Sequence, residues 1–127
     1  MAVTYVVVER GNPLKPETPR KFYAQAKASG EVTLKRLSRE IAKGLTTMSD
    51  TDVLAVLNDL TKMLSKHLSE GRIVRFGDFG AFQITLSSTG AETESKFHSS
   101  LISKRKVTFR PGVDLREKVS TLKFEKI

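Results

Sequence analysis

Between Ser49 and Gly71 runs a segment of helical spacing whose apolar residues do not keep to one side. Val53, Leu54, Val56, Leu57, Leu60, Met63, Leu64 and Leu68 cover a wide arc of that helix. A surface helix needs only one apolar stripe, so an arc this broad must be covered from more than one direction. One short helix and a small sheet can hardly bury it. A partner chain is the expected cover; the alternative is a helix at the centre of a monomeric α+β core. The ends of the segment are marked. Ser49 is placed as N-cap, Asp52 follows at capping-box spacing, and Asp50 adds negative charge at the positive end of the dipole. Gly71 is placed as the left-handed residue that closes the helix.

Beyond Gly71 the pattern changes period. Ile73 to Phe76 reads as a short strand, and Gly77-Asp78 as a type II′ turn with positive φ at Gly77. A second strand leaves from Phe79, with Phe82, Ile84 and Leu86 alternating against Gln83, Thr85 and Ser87. Gly80 between two Phe residues predicts a close backbone contact or a bulge, and the Phe residues are assigned to packing. Ser88 to Ser100 is polar and without Pro, an expected mobile excursion. Leu101-Ile102, Val107 and Phe109 predict a returning strand. It carries Ser103-Lys104-Arg105-Lys106, the densest basic run in the chain. Such a run binds anions or simply guards an exposed edge. Val113 to Val119 fits a short helix, and Leu122, Phe124 and Ile127 a last strand closing against the N-terminal segment.

Upstream, residues 2–10 are rich in β-branched side chains and predict a strand. Pro13, Pro16 and Pro19 forbid a regular element in the loop that follows. Lys21 to Lys27 alternates again and is expected to pair with the first strand as a hairpin. Thr33 is a candidate N-cap for a helix on Leu34, Leu37, Ile41, Ala42 and Leu45, ending near Leu45. The class is α+β. The expected division is a β extension over residues 1–30 and a main domain over residues 31–127.

Charge narrows the function. Lys and Arg number 22 against 14 Asp and Glu, a net charge of +8. Residues 31–71 are balanced at six basic and six acidic; residues 1–30 hold five and two, and residues 72–127 eleven and six. The excess lies on the strands and loops, which are the expected contacts for a polyanion. With no Cys, disulfides and thiolate sites are excluded, and with only His67 and His98 a His-based metal cluster is nearly excluded within one chain. His67 is expected at the surface without a chemical role. There is no Cys nucleophile, no pair of adjacent histidines and no phosphate-cradling Gly loop, and the Ser residues near His98 lie on a polar, mobile segment that is a poor place to hold a triad, so no enzyme activity, cofactor, metal or small-molecule substrate is expected. The apolar runs are too short to span a bilayer, no signal peptide precedes them, and no basic amphipathic helix suggests a membrane surface.

The order of these elements resembles the bacterial histone-like HU/IHF family. Ser49-x-x-Asp52 opens the second helix. GRIVRFGDFGAF, Gly71 to Phe82, is similar to that family's Gly-x-x-Val-x-Leu-x-Gly-Phe-Gly-x-Phe, with Val74, Phe79, Gly80 and Phe82 matching directly. FRPGVDLREKV, Phe109 to Val119, is similar to its Phe-Lys-x-Gly-Lys-x-Leu-Lys ending through Phe109, Gly112 and Leu115. The resemblance covers about residues 31–119, and the extra strands before it resemble a divergent, extended subgroup. It implies an intertwined homodimer with a two-helix body, an antiparallel saddle, a protruding β-arm and a short terminal helix. It also implies cytoplasmic, nucleoid-associated binding of double-stranded DNA without sequence preference, through phosphate contacts and minor-groove arms. The candidate contacts are Lys104, Arg105, Lys106 and Arg110, with Arg72, Arg75 and Arg116 secondary; Arg72 and Arg75 are equally suited to pairing with helix carboxylates. The family's Arg-Asn-Pro-x-Thr-Gly arm tip is absent. Ser87 to Ser100 holds Glu92, Glu94 and a single cation, Lys96, with Phe97 a candidate wedge or packing residue. The alternative is therefore an HU-like structural or partner-binding dimer with weak or no DNA bending.

Overall fold

The computed structural model describes residues 2–44 and 47–127. They form an α+β fold of two compact units. One comprises residues 1–33 and 118–127; the other runs continuously from Leu34 to Glu117.

The first unit is a three-stranded sheet. β1 (Val3–Arg10) and β2 (Lys21–Lys27) form the expected antiparallel hairpin, Thr4 opposite Lys27 and Arg10 opposite Lys21. A last strand, β6 (Phe124–Lys126), pairs with β1 in parallel, Val3 opposite Phe124, and gives the order β2-β1-β6.

The second unit begins with α1 (Leu34–Lys43), directly after Thr33. Helix reaching Leu45 lies outside the described residues. α2 spans Asp50–Ser69, and the Ser49 hydroxyl accepts from the Asp52 N–H at 3.1 Å. Ser49→Ala is expected to cost about 1 kcal/mol of stability, the usual loss when a cap is removed, checked by urea denaturation. At the other end Gly71 takes φ 83°. Its N–H meets the Leu68 carbonyl at 3.0 Å, and the Arg72 N–H meets the His67 carbonyl at 3.1 Å. This paired closure satisfies carbonyls that the helix leaves open. It also brings Arg72 Nη1 within 2.9 Å of His67 Nδ1. His67 is half-buried and bonded to Arg72.

α2 packs against α1 and against two strands of a second sheet, β3 (Val74–Phe76) and β4 (Gly80–Ser88). The turn between them closes with the Phe79 N–H on the Phe76 carbonyl at 2.9 Å. Gly77 has φ 49° and Asp78 a negative φ, the signs of the expected II′ turn. β5 (Ile102–Pro111) returns antiparallel to β4, completing the order β3-β4-β5. The segment between β4 and β5 contains two single 3-10 turns, Glu94–Lys96 and Ser99–Leu101. A register shift falls between Ser87 and Ser88.

Phe76, Phe82, Phe109 and Phe79 form one cluster, with centroid separations of 5.7 Å for Phe76–Phe82, 4.9 Å for Phe82–Phe109 and 5.4 Å for Phe109–Phe79. Gly80 makes the close approach expected of it: a Cβ there would lie 2.5 Å from the Arg110 carbonyl and 2.6 Å from the Phe109 ring. At Gly112 the space is tighter. Its N–H reaches the Phe79 carbonyl at 2.8 Å, and a Cβ would collide with the Asp78 carbonyl. Gly112→Ala must part the β3–β4 turn from the start of α3 (Val113–Ser120). The expected loss is about 3 kcal/mol, typical of overpacking, read as a lower urea midpoint.

The described residues bury little. Only Ser38, Val53 and Gly80 are buried among them. The chain exposes 10988 Å², whereas two separate compact bodies of these sizes would expose about 8,000 Å² together. Val56, Leu60 and Met63 form a stripe on α2 that is 38 to 56% exposed.

Candidate nucleic-acid interface

Directly opposed residues of an antiparallel pair point to the same face. On one face of the β3-β4-β5 sheet lie Val74, Phe76, Phe82, Ile84, Phe109 and Val107. The opposite face carries the polar residues of β4. There Ala81 sits opposite Arg75 on one side and Arg110 on the other. Gln83 faces Thr108, Thr85 faces Lys106, and Ser87 faces Lys104. The pairing thus sets Arg75, Arg110, Lys106 and Lys104 on a single face, all exposed. Along β5 the cations occupy alternate positions, about 6.8 Å apart per two-residue step, with Thr108 filling the gap. The Thr108 and Thr85 hydroxyls are 3.0 Å apart and tie the middle of the row together.

At the inner end of this face the sheet opens into a groove of about 340 Å³, lined by Arg75, Arg110, Arg116, Asp78, Gln83 and Gly112. Arg116 Nε is held 3.4 Å from the Gly112 carbonyl. Three guanidinium groups against one carboxylate make the groove a cationic recess. Its backbone frame comes from Gly80 and Gly112, whose missing side chains let β4, β5 and the start of α3 meet.

The expected contact residues separate in this geometry. Lys104, Lys106, Arg110 and Arg75 share a face, and Arg116 joins them at the groove. Arg105 lies on the other face opposite Leu86, beside a hollow of about 490 Å³ lined also by Leu68, Ile84 and Val107. Arg72 is ion-paired with Glu70 as well as bonded to His67. Arg75 forms no ion pair among the described residues, so only one of the two arginines follows the carboxylate-pairing alternative. In the segment after β4, Lys96 Nζ lies 3.3 Å from Glu92 Oε2, one turn apart. His98 contacts Ser100 there. Among the described residues no three of His, Asp or Glu gather in a way that could hold a metal ion.

The model of the HU-HIG family, an HU domain fused to wHTH, Ig, or glycine-rich motif, matches residues 1–126. The chain belongs to the HU-HIG family. Its HU-like character extends to the fold. A protein of Bacteroides vulgatus described as a bacterial DNA binding protein is similar at TM-score 0.66 with 10% identity, over 99% of this chain and 48% of that one. This HU-HIG chain therefore spans about half the length of the Bacteroides protein. HU of Anabaena, solved in a cocrystal with DNA, is similar at TM-score 0.56 with 19% identity, over 71% of this chain and 99% of that one. No curated protein matches the sequence. No helix among the described residues is long and apolar enough to cross a membrane.

Proposed function

We propose that this protein is a homodimeric, nucleoid-associated DNA-binding protein of the bacterial cytoplasm that holds duplex DNA without strong sequence preference. The observation that carries the reading is the shared face of Arg75, Lys104, Lys106 and Arg110, joined by Arg116 at the groove. Exposed cations at strand spacing match a line of phosphates, and such contacts carry no sequence information. The fold it shares with Anabaena HU supports the same ligand. Release of condensed counterions makes the affinity fall steeply with salt. Fluorescence anisotropy on a linear duplex at two salt concentrations tests this; no binding at low salt would overturn it.

The homodimer is supported by the exposed Val56–Leu60–Met63 stripe and by the exposed Leu37 and Ile41 of α1. Two copies apposed through these faces would cover both and give the pair two cationic faces.

The segment between β4 and β5 is poorly equipped for a wedge-and-kink mechanism. Kinking duplex DNA requires an apolar wedge inserted between base steps. The segment between β4 and β5 carries Glu92, Glu94 and no Pro, and its single cation is paired to Glu92. We infer that this segment contributes little to bending and that phosphate contacts along β5 dominate. Shortening Thr89 to Ser99 is expected to change affinity less than twofold and to leave end-to-end FRET of a labelled duplex unaltered. A large FRET change on that deletion would show that the segment bends DNA.

A further inference from the structure

Half of the net charge lies away from the β3-β4-β5 sheet. The unit formed by residues 1–33 and 118–127 holds eight basic and four acidic residues. Four of its cations, Arg10, Lys15, Arg20 and Lys21, fall within the tip of the β1–β2 hairpin against one carboxylate, Glu17.

That tip is a built structure. Asn12-Pro13-Leu14-Lys15 is closed by the Lys15 N–H on the Asn12 carbonyl at 3.1 Å. Lys15-Pro16-Glu17-Thr18 is closed by the Thr18 N–H on the Lys15 carbonyl at 3.0 Å. Each turn has proline at its second position, where the fixed φ is already correct. The Asn12 side chain accepts from the Leu14 N–H at 3.0 Å and locks the first turn further. Arg10 and Lys21 face each other where the strands enter, and Arg20 lies across Gly11. Grooves of about 400 and 500 Å³ flank the loop, the first lined by Arg10, Lys21 and Tyr23, the second by Arg20.

At the apex this rigid loop holds Leu14 outward, 90% exposed. Two prolines and an Asn side chain fix the backbone around a leucine that packs on nothing. A single exposed leucine is ordinary. One presented on a pre-set tip that also carries four cations has the chemistry of an apolar wedge for a DNA minor groove, with the cations available to the flanking phosphates.

We propose that the β1–β2 hairpin tip is a second duplex-DNA contact, in which Leu14 enters the minor groove while Arg10, Lys15, Arg20 and Lys21 engage the flanking phosphates. It adds to the DNA-binding reading a site in the other unit, so the two stand or fall separately. The ordering cost is small because the turns are already closed.

The chain has no cysteine, so Leu14→Cys supplies one thiol for a tethered iron–EDTA group in the full chain. Hydroxyl radicals from that position are expected to cut a labelled duplex with the staggered pattern of a minor-groove source. The same label at Glu31→Cys, outside the tip, is expected to cut weakly. Equal cutting from the two positions would overturn the proposal. As a second readout, Lys15→Gln/Arg20→Gln/Lys21→Gln should make the slope of log affinity against log salt shallower by about two to three, at roughly 0.9 per phosphate contact. An unchanged slope in a variant with wild-type melting would overturn it. Loss of binding in a Lys104→Gln/Lys106→Gln/Arg110→Gln variant, with none in the tip variant, would remove the tip and leave the sheet.

Discussion

Leu60→Asp is expected to abolish the proposed dimer and with it the folded state. Leu60 sits at the middle of the α2 stripe with Val56 and Met63, four and three residues away. In an apposed pair each copy would bury one unpaired carboxylate. The penalty of about 3–5 kcal/mol for such a charge applies once per protomer. A domain whose stability is about 5–15 kcal/mol does not survive that twice. Sedimentation at micromolar concentration should show a dimer for the wild type and an expanded monomer for the variant, with loss of the helical circular dichroism. Leu60→Asp that remained a folded monomer would show that α2 needs no second chain.

The second large effect falls on the sheet. Arg75→Gln/Lys104→Gln/Lys106→Gln/Arg110→Gln removes the four cations that share a face, while Arg105→Gln removes one from the opposite face. The quadruple change is expected to weaken DNA binding by roughly 10³-fold at 0.1 M salt and to flatten the salt slope by about three to four per protomer, at 0.9 per phosphate. Arg105→Gln is expected to change affinity less than threefold, since its neighbours are Leu86 and the hollow by Leu68. All five positions are exposed, so thermal unfolding should barely move. Equal losses from Arg105 and Lys104 would mean that the net charge of β5, not its face, sets the affinity.

Local rules carried most of the element assignment. Strand bounds at Lys21 and Lys27, the Ser49 cap, the Gly71 closure and the II′ turn at Gly77 each rest on a few adjacent residues. The site was less legible because it depends on register between distant strands. Alternation alone separates Arg105 from Lys104 and Lys106. Only the pairing of Ala81 with both Arg75 and Arg110 brings two arginines from residues 75 and 110 to one row. The engagement of His67 follows from the way the helix closure turns Arg72 back, which its polar neighbours Lys66 and Ser69 hide. The hairpin tip had a readable signal in Asn-Pro-x-Lys-Pro-x-Thr, two turn motifs in succession. Counting its prolines only as breakers hides the loop they organise.

The parallel pairing of β1 with β6 has a consequence for synthesis. β1 is made first, yet its partner at Phe124–Lys126 emerges from the ribosome about 120 residues later. Until then one edge of β1 stands open, with Val3 and Tyr5 unpaired on that side. The Leu34–Glu117 unit is complete in sequence before the first unit can close. Long-range closure of this kind is slow, and an open strand edge in a nascent chain invites pairing with other strands. The early β1–β2 hairpin shields the other edge alone, so the vulnerable interval lasts until the final strand arrives.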